Sequence, residues 1–164
     1  MDPTMAQQQN EPLVGSGVVY KVDGETVYII TNAHNVMNST MTQVNVDDKP
    51  FTASVLDIDA SMDIAVLELK VLAEDTDKFV PIEFADSETI KEGAWVLSVG
   101  APYGFNTSAS DGIISAFDEA YSMDEAGKQI TIDMIETDAN INVGSTGGAL
   151  VNIRILGHHP LPRY

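Results

Sequence analysis

The stretch Asp138-Ala-Asn-Ile-Asn-Val-Gly-Ser-Thr-Gly-Gly-Ala-Leu-Val-Asn152 decides how this chain is interpreted. Glycines and two small hydroxyl residues at positions 144–148 predict a tight loop ahead of an apolar strand, because glycine lets the backbone turn sharply and approach a bound group closely. Such a loop can direct successive N–H groups at one point, which is what an oxyanion hole requires. Thr146 is expected to project from the turn, and it carries a hydroxyl together with an extra methyl group.

The composition excludes several classes of protein. The chain has 164 residues, a net charge of −17 and 44% apolar residues, which suffice for a packed core in one domain or two small barrels. The negative charge disfavours nucleic acid and anionic lipid surfaces as partners. Cysteine is absent, which excludes disulfides, thiol chemistry and a thiolate zinc site. No apolar run reaches about 18 residues, so no membrane-spanning segment is expected.

The body of the chain predicts β-structure. Asp23-Gly24 lies between two β-rich runs at residues 17–22 and 25–30, and this arrangement is a strong hairpin signal. Residues 47–50 predict a turn, and residues 71–78 predict a charged loop. Many short strands with closely spaced turns indicate barrels or a sandwich. Further strands are expected at residues 42–46, 51–56, 64–69, 94–99, 112–117 and 130–135.

Composition divides the chain into four segments. Residues 1–11 are polar, lack the apolar centre of a signal peptide and predict a disordered lead. Residues 12–85 and 86–153 predict two β-rich units, with the polar stretch Asp86-Ser-Glu-Thr-Ile-Lys-Glu-Gly93 at the start of the second. Residues 154–164 contain both arginines and show no strand alternation. We expect this atypical tail to be a truncation, a frameshift or a vector-derived end, or else a natural variable end.

Three chemistry-bearing elements occur in the order histidine, aspartate, hydroxyl. His34 follows a predicted strand and Asp63 precedes one, and each is weak evidence alone, since a lone histidine is more often structural and an aspartate there is usually a turn or cap residue. Together with the Thr146 loop they match the order of a catalytic triad, in which an imidazole deprotonates the hydroxyl and a carboxylate fixes the imidazole tautomer. Asp57 and Asp59 are alternatives for the carboxylate, although they lie in a more polar turn.

The chain resembles the HtrA/DegP group of trypsin-like serine proteases across residues 13–153. The resemblance implies two antiparallel β-barrels of the chymotrypsin type with the active site between them, the first barrel over residues 12–85 and the second over residues 86–153. The similar segments are Gly15-Ser-Gly-Val-Val19, Ile29-Ile-Thr-Asn-Ala-His34, Asp63-Ile-Ala-Val-Leu67, Val96-Leu-Ser-Val-Gly-Ala-Pro-Tyr-Gly104, Gly112-Ile-Ile-Ser115 and Thr137-Asp-Ala-Asn-Ile-Asn142.

The resemblance also implies a role for each site residue. It implies that His34 is the general base and that Asp63 orients it. The backbone N–H groups of Gly144 and Thr146 are the implied donors of the oxyanion hole, with Ser145 between them as a possible contributor. The family loop reads Gly-Asn-Ser-Gly-Gly, so Thr146 stands where the family has its nucleophilic serine.

The threonine predicts an impaired site that keeps its shape. Threonine nucleophiles are commonly activated by their own terminal amine, whereas Thr146 is internal, and its β-branch restricts χ1. The methyl group competes for space with His34 or with the incoming carbonyl. The predicted function is therefore an HtrA-like serine endopeptidase domain, impaired in this chain, that cleaves unfolded or misfolded proteins. The alternative is a non-catalytic, chaperone-like module that binds unfolded polypeptides.

Other expectations follow from the resemblance alone. Family members continue past the equivalent of Leu150-Val-Asn152 with strands that complete the second barrel, and a PDZ domain usually follows; neither is recognisable here, so an incomplete second barrel is expected. Family members are typically exported to the bacterial envelope or beyond, and often form trimers. No cofactor or nucleic acid is expected to bind. No metal site is expected either, since the adjacent His158 and His159 have no evident third ligand.

Overall fold

The structure is a computed structural model that describes residues 13–101, 107–123 and 127–152. Strands are the predominant regular structure in these ranges, which confirms the predicted fold class, and short 3-10 helices occur at Ala33–Asn35, Ala73–Lys78 and Ser87–Thr89. No helix in the described ranges is long and apolar enough to cross a bilayer. The strands are β1 (Val18–Asp23), β2 (Thr26–Thr31), β3 (Thr42–Val46), β4 (Lys49–Asp59), β5 (Ile64–Lys70), β6 (Trp95–Gly100), β7 (Ser108–Met123), β8 (Gln129–Thr137) and β9 (Ala149–Asn152).

The first five strands form one antiparallel sheet in the order β1-β2-β5-β4-β3. The predicted hairpin is confirmed, but its turn lies one residue later than predicted, because Asp23 pairs with Thr26 at the end of β1. The turn residues are Gly24, which has a φ of 59°, and Glu25. Alternate side chains of the strands enter the core because successive residues of a strand point to opposite faces. The buried apolar residues of this core are Val27, Ile29, Ala33, Val36, Phe51, Ala53, Ala65, Leu67, Leu69, Val71 and Phe79.

The sequence predicts a charged loop at residues 71–78, and core residues lie at its first position and directly after its last. Val71 and Phe79 are buried, and the Phe79 ring packs edge-on against Phe51 with centroids 5.2 Å apart. Between them, Asp75 of the 3-10 helix is buried and forms ion pairs with Lys49 and Lys78. The charged residues therefore pin this segment to the sheet.

The β3–β4 turn is shorter than predicted. Asp47 and Asp48 both have positive φ, 49° and 61°, and form a two-residue turn, so β4 begins at Lys49 and includes Pro50. In such a hairpin the two residues that flank the turn form a hydrogen-bonded pair, and the next pair along the strands makes no hydrogen bond. Asn45 and Pro50 are that next pair. The missing N–H of Pro50 faces the other side, where β5 pairs with β4 only from Ala53 onward. Proline therefore costs the sheet no hydrogen bond.

The remaining strands form a second antiparallel sheet in the order β8-β7-β6-β9. Strands β7 and β8 are longer than predicted, since residues 116–123 and 129–136 extend beyond β6 as a two-stranded ribbon. Strand β9 pairs with the other side of β6. In the described part of the chain both sheets are open, with β1, β3, β8 and β9 as edge strands. The division near residue 85 falls between the sheets and stays a prediction as a domain boundary; the predicted lead and tail, residues 1–11 and 154–164, lie outside the described residues.

Candidate active site

The pairing of β2 with β5 brings the two charged candidates of the first sheet together. Thr31, the last residue of β2, pairs with Ala65 near the start of β5. The chain leaves β2 into the 3-10 helix that carries His34, and Asp63 immediately precedes β5. The Ala33 N–H also donates to the Asp63 carbonyl at 3.1 Å. Antiparallel register, not closeness in sequence, thus sets this arrangement.

The Asp63 carboxylate contacts His34 at two points. Asp63 Oδ2 lies 2.6 Å from His34 Nδ1, and Asp63 Oδ1 accepts the His34 backbone N–H at 2.9 Å. The Asn32 amide donates to Asp63 Oδ2 at 3.0 Å and to the Asp63 carbonyl at 2.8 Å. Asp63 has a φ of 53°, a left-handed conformation that is uncommon outside glycine but enriched for aspartate. The backbone adopts a strained conformation at the residue that holds the histidine ring.

The protonation state of Asp63 fixes the role of the His34 ring nitrogens. Partial burial raises the pKa of Asp63, but hydrogen bonds from the backbone and ring of His34, the charge of that ring and the Asn32 amide outweigh it, so the pKa lies below its usual value. An ionised carboxylate can only accept hydrogen bonds, so at neutral pH Nδ1 carries the proton. In the neutral form of the ring, Nε2 is then the proton-accepting nitrogen. About half of each side chain is exposed, 54% for His34 and 43% for Asp63, so a substrate can reach the ring.

Asp57 and Asp59, the two alternatives for the triad carboxylate, bond locally. Asp59 Oδ1 accepts from the Ser61 hydroxyl at 2.6 Å and from the Met62 N–H at 3.1 Å, and the Ser61 side chain is the main reason that the pKa of Asp59 lies below its usual value. Asp57 accepts from the N–H of Ile58. Among the described residues neither carboxylate has a hydrogen bond to His34.

The glycine-rich loop between β8 and β9 turns sharply at two glycines. Gly144 and Gly147 have φ values of 88° and 87°. The Ser145 N–H donates to the Asn142 carbonyl at 2.9 Å, and the Ser145 carbonyl accepts from the N–H of Gly148 at 2.8 Å. Ser145 is thus engaged on both sides, and its N–H is directed away from an oxyanion role.

The N–H groups of the residues on either side of Ser145 differ from the Ser145 N–H in their hydrogen bonding. Within the part of the chain that the structure describes, the N–H groups of Gly144 and Thr146 have no hydrogen-bond partner. The intervening turn places an engaged donor between two unengaged ones. Two N–H groups separated by one intervening residue are the usual donors of an oxyanion hole.

Thr146 lies against the segment that carries His34, although its hydroxyl is not joined to the ring. The Thr146 carbonyl accepts from the N–H of Ser16 at 2.8 Å and from the side-chain amide of Asn35 at 3.1 Å. No hydrogen bond between the described side chains links the Thr146 hydroxyl to His34. Catalytic hydrogen bonds are often long in unliganded enzymes and tighten when substrate binds.

An apolar groove borders the same loop. It has a volume of about 290 Å³ and lies between the two sheets. Ile64, Phe84 and Leu150 contribute exposed apolar side chains to it, and Gly147 and Gly148 form part of its wall. No group of three potential metal ligands occurs among the residues with described positions, and His158 and His159 lie outside them.

Three polar residues that the sequence did not single out hold the loop and the base. The hydroxyl of Ser16 donates to the Gly144 carbonyl at 2.8 Å and accepts from the N–H of Ala101 at 2.8 Å. Asn32 and Asn35 flank His34 and bond to Asp63 and Thr146 respectively. The positions of Asn32 and Asn35 near His34, and of Ser16 in a glycine-flanked motif, are sequence signals for these residues, but they do not predict the hydrogen-bond partners.

Comparison with known proteins agrees with this geometry. Residues 15–155 match the trypsin-like peptidase domain. The periplasmic serine endoprotease DegP of Escherichia coli K12 is 33% identical over 148 residues, which cover 90% of this chain and 29% of that protein. The serine protease Do-like HtrA of Lactococcus lactis MG1363 is 38% identical over 143 residues, covering 85% of this chain and 34% of that protein. The chain therefore spans about a third or less of the length of these relatives.

Solved structures are similar over most of the chain. The Rv3671c protease of M. tuberculosis in its active form superposes with a TM-score of 0.71 at 30% identity, covering 92% of this chain and 71% of that one. The HtrA-type protease AlgW, solved with a decapeptide, gives a TM-score of 0.66 at 31% identity and covers 85% of this chain and 39% of that one. The chain belongs to the trypsin-like peptidase family, and the relatives that it resembles over most of its length include HtrA/DegP serine proteases.

Proposed function

We propose that this chain is an HtrA-type serine endopeptidase domain in which His34 is the general base, Asp63 orients it and Thr146 occupies the nucleophile position. The observation that carries the proposal is the double contact of Asp63 with the backbone and ring of His34. That contact holds Nδ1 as the donor and leaves Nε2 to accept a proton, which is the arrangement that hydroxyl activation requires.

The proposed reaction is acyl transfer through the hydroxyl. His34 Nε2 takes the hydroxyl proton of Thr146 while Thr146 Oγ1 attacks the scissile carbonyl carbon. The resulting oxyanion accepts hydrogen bonds from the N–H groups of Gly144 and Thr146. The imidazolium, stabilised by Asp63, then protonates the leaving amine as the C–N bond breaks. Water, activated by His34, hydrolyses the ester. In this scheme Ser145 contributes by keeping the loop in shape rather than by donating its N–H.

The threonine makes this domain a slow enzyme. Its methyl group lies on the atom next to the nucleophile and restricts χ1, so fewer conformations direct Oγ1 at both His34 and a substrate carbonyl. Misplacing a reacting atom by about 1 Å can cost roughly 10²-fold in rate. The proposal is therefore an impaired endopeptidase whose base and oxyanion donors are intact.

The proposed substrates are unfolded or misfolded polypeptides, and the proposed location is the bacterial cell envelope or the extracellular space. DegP-like relatives are named as periplasmic endoproteases, and AlgW was solved with a decapeptide. A homo-oligomer, with a trimer as the form typical of the family, is part of the proposal.

Casein digestion tests the proposed activity. We expect the unaltered chain to cleave unfolded casein slowly, Thr146→Ser to cleave it faster and His34→Ala in that background to abolish cleavage. The matched control is Thr107→Ser, which makes the same change at an exposed position and leaves the rate unchanged. Equal rates for Thr146→Ser and the unaltered chain would contradict the proposed nucleophile position.

A polypeptide-binding module without catalysis is the second candidate. The observations that favour it are the Thr146 hydroxyl without a hydrogen bond to His34 and the apolar groove beside the loop. This function predicts that the chain suppresses aggregation of a denatured protein and binds casein without cutting it. It also predicts that Leu150→Asp, in the wall of the groove, weakens binding, whereas His34→Ala does not.

A further inference from the structure

Three residues outside the proposed chemistry, Ser16, Thr31 and Asn35, form a closed ring of hydrogen bonds with the backbone carbonyl of Thr146. The two hydrogens of the Asn35 amide go to the Thr31 hydroxyl at 3.1 Å and to the Thr146 carbonyl at 3.1 Å. Thr31 Oγ1 in turn donates to the Ser16 carbonyl at 2.6 Å. The Ser16 N–H then donates to the same Thr146 carbonyl at 2.8 Å, which closes the ring.

The chain packs so closely around this ring that two glycines beside it have no room for a side chain. A Cβ on Gly147 would lie 2.3 Å from the Ser16 carbonyl oxygen and 2.4 Å from Thr31 Oγ1. A Cβ on Gly15 would lie 2.4 Å from the Asn35 amide nitrogen. Two glycines thus clear the space that the Asn35 amide and the Ser16 backbone occupy. Contacts below 3 Å of this kind mean that the loop and the amide fit against each other.

Asn35 joins two parts of the proposed machinery directly. It follows His34 in the same short helix, and its amide reaches the carbonyl of the residue in the nucleophile position. The helix is anchored at its other side by the bonds of Asp63 and Asn32. A change in the position of the loop is therefore transmitted to the segment that holds the base, and the reverse holds as well.

We infer that Asn35 is a positioning residue that fixes the nucleophile loop relative to His34, with Ser16 as the second anchor of the same loop. The inference rests on the proposed function for its catalytic consequence, although its structural consequence does not. An amide suits this role because it supplies two donors to two acceptors, and an aspartate of the same shape would supply none. Asn35 touches no reacting atom, so its loss alters the turnover step rather than substrate binding.

Labelling and turnover test the catalytic consequence in the Thr146→Ser background. We expect Asn35→Ala and Asn35→Asp each to lower the rate of labelling by a fluorophosphonate about tenfold, the size expected for one lost hydrogen bond and a displaced nucleophile. For cleavage of a peptide, kcat falls and KM stays unchanged. Asn38→Ala and Asn38→Asp are the matched controls, since Asn38 is exposed three residues away, and neither alters the rates. Equal labelling of the Asn35 and Asn38 variants would overturn the inference.

Amide hydrogen exchange tests the structural consequence without any activity. In Asn35→Ala the N–H groups of Ser16, Ser145 and Gly148 should exchange about tenfold faster, while the β2–β5 amides keep their rates. Should Asn35→Ala fail to fold, Gly15→Ala displaces the amide by its added Cβ and should produce the same pattern. Unchanged exchange in the loop would overturn the inference. A Thr146→Ser chain that takes no label, with faster exchange in Asn35→Ala, would contradict the proposed function and uphold the positioning role.

Discussion

Asp63 holds His34 at two points, the ring through Oδ2 at 2.6 Å and the backbone N–H through Oδ1 at 2.9 Å. A single contact would fix the direction of the ring and leave the backbone free, or fix the backbone and leave the ring free to rotate. The two together fix both, and the Asn32 amide holds the carboxylate from a further side. Contacts among residues of the first sheet are therefore enough to orient His34, and contacts from the second sheet are not needed for this.

The double contact predicts a large effect of Asp63→Asn. In the Thr146→Ser background we expect fluorophosphonate labelling to fall by about 10⁴-fold, the loss seen when a triad aspartate becomes asparagine and the histidine adopts the wrong tautomer. Asp57→Asn is the matched control, since among the described residues Asp57 accepts only from the adjacent Ile58 N–H, and it should label at the parent rate. A greater loss from Asp57→Asn than from Asp63→Asn would assign the carboxylate role to the alternative.

The buried carboxylate of Asp75 predicts a pH-dependent stability. A hydrogen bond from Lys49, with a smaller contribution from a hydrogen bond from Lys78, holds the pKa of Asp75 below its usual value. The native state therefore binds fewer protons than the unfolded state near pH 4, so the stabilisation is complete above about pH 4 and is lost as the pH falls through the lowered pKa. In urea unfolding, Asp75→Asn should be less stable than the parent at pH 7, and the difference should shrink below about pH 4.

Asp77→Asn is the control for the pH prediction, because Asp77 is exposed in the same short helix and has no ion pair among the described residues. We expect its unfolding free energy to follow that of the parent at every pH. A difference between Asp75→Asn and the parent that stays constant from pH 7 to pH 3 would contradict the assignment of the acid-sensitive stability to the Asp75 ion pairs.

Gly147 predicts a steric cost that another glycine of similar conformation lacks. A Cβ at Gly147 would collide with the Ser16 carbonyl and the Thr31 hydroxyl, whereas no atom of the described residues lies within 4 Å of a Cβ at Gly93, whose φ is +78°. We expect Gly93→Ala to cost about 1 kcal/mol, from the positive φ alone, and Gly147→Ala to cost about 3 kcal/mol because the collision adds to it. Urea unfolding measures both. Equal losses would indicate that the loop does not fit closely against β2.

Local signals sufficed for most of the fold. The hairpin at Asp23-Gly24 and the strands β3 and β5 follow from turn chemistry and alternation, because both act over a few residues. Strand β4 begins earlier than predicted. Pro50 favours a turn when only its local sequence is considered, and only the strand register shows that the side of Pro50 that lacks an N–H faces no other strand. The ribbon of β7 and β8 is longer than its apolar segments because Asp118 and Glu119 face solvent there and do not interrupt pairing.

The candidate site was only partly accessible to sequence reasoning. The order of His34, Asp63 and the glycine loop, with the family motifs around them, indicated which residues to compare. The ring formed by Ser16, Thr31, Asn35 and Thr146 could not be predicted, since it joins residues up to 130 positions apart through backbone carbonyls that have no sequence signature. The direction of the Ser145 N–H toward Asn142 was hidden for the same reason.

Mass spectrometry of the intact protein and of its peptides after fluorophosphonate treatment tests the assignment of the nucleophile position. We expect the unaltered chain to gain almost no adduct and Thr146→Ser to gain one, at position 146. The adduct disappears with His34→Ala and persists with Ser145→Ala, because the base and not the neighbouring hydroxyl activates the nucleophile. An adduct on Ser145, or one at position 146 that forms equally fast with His34→Ala, would contradict the account.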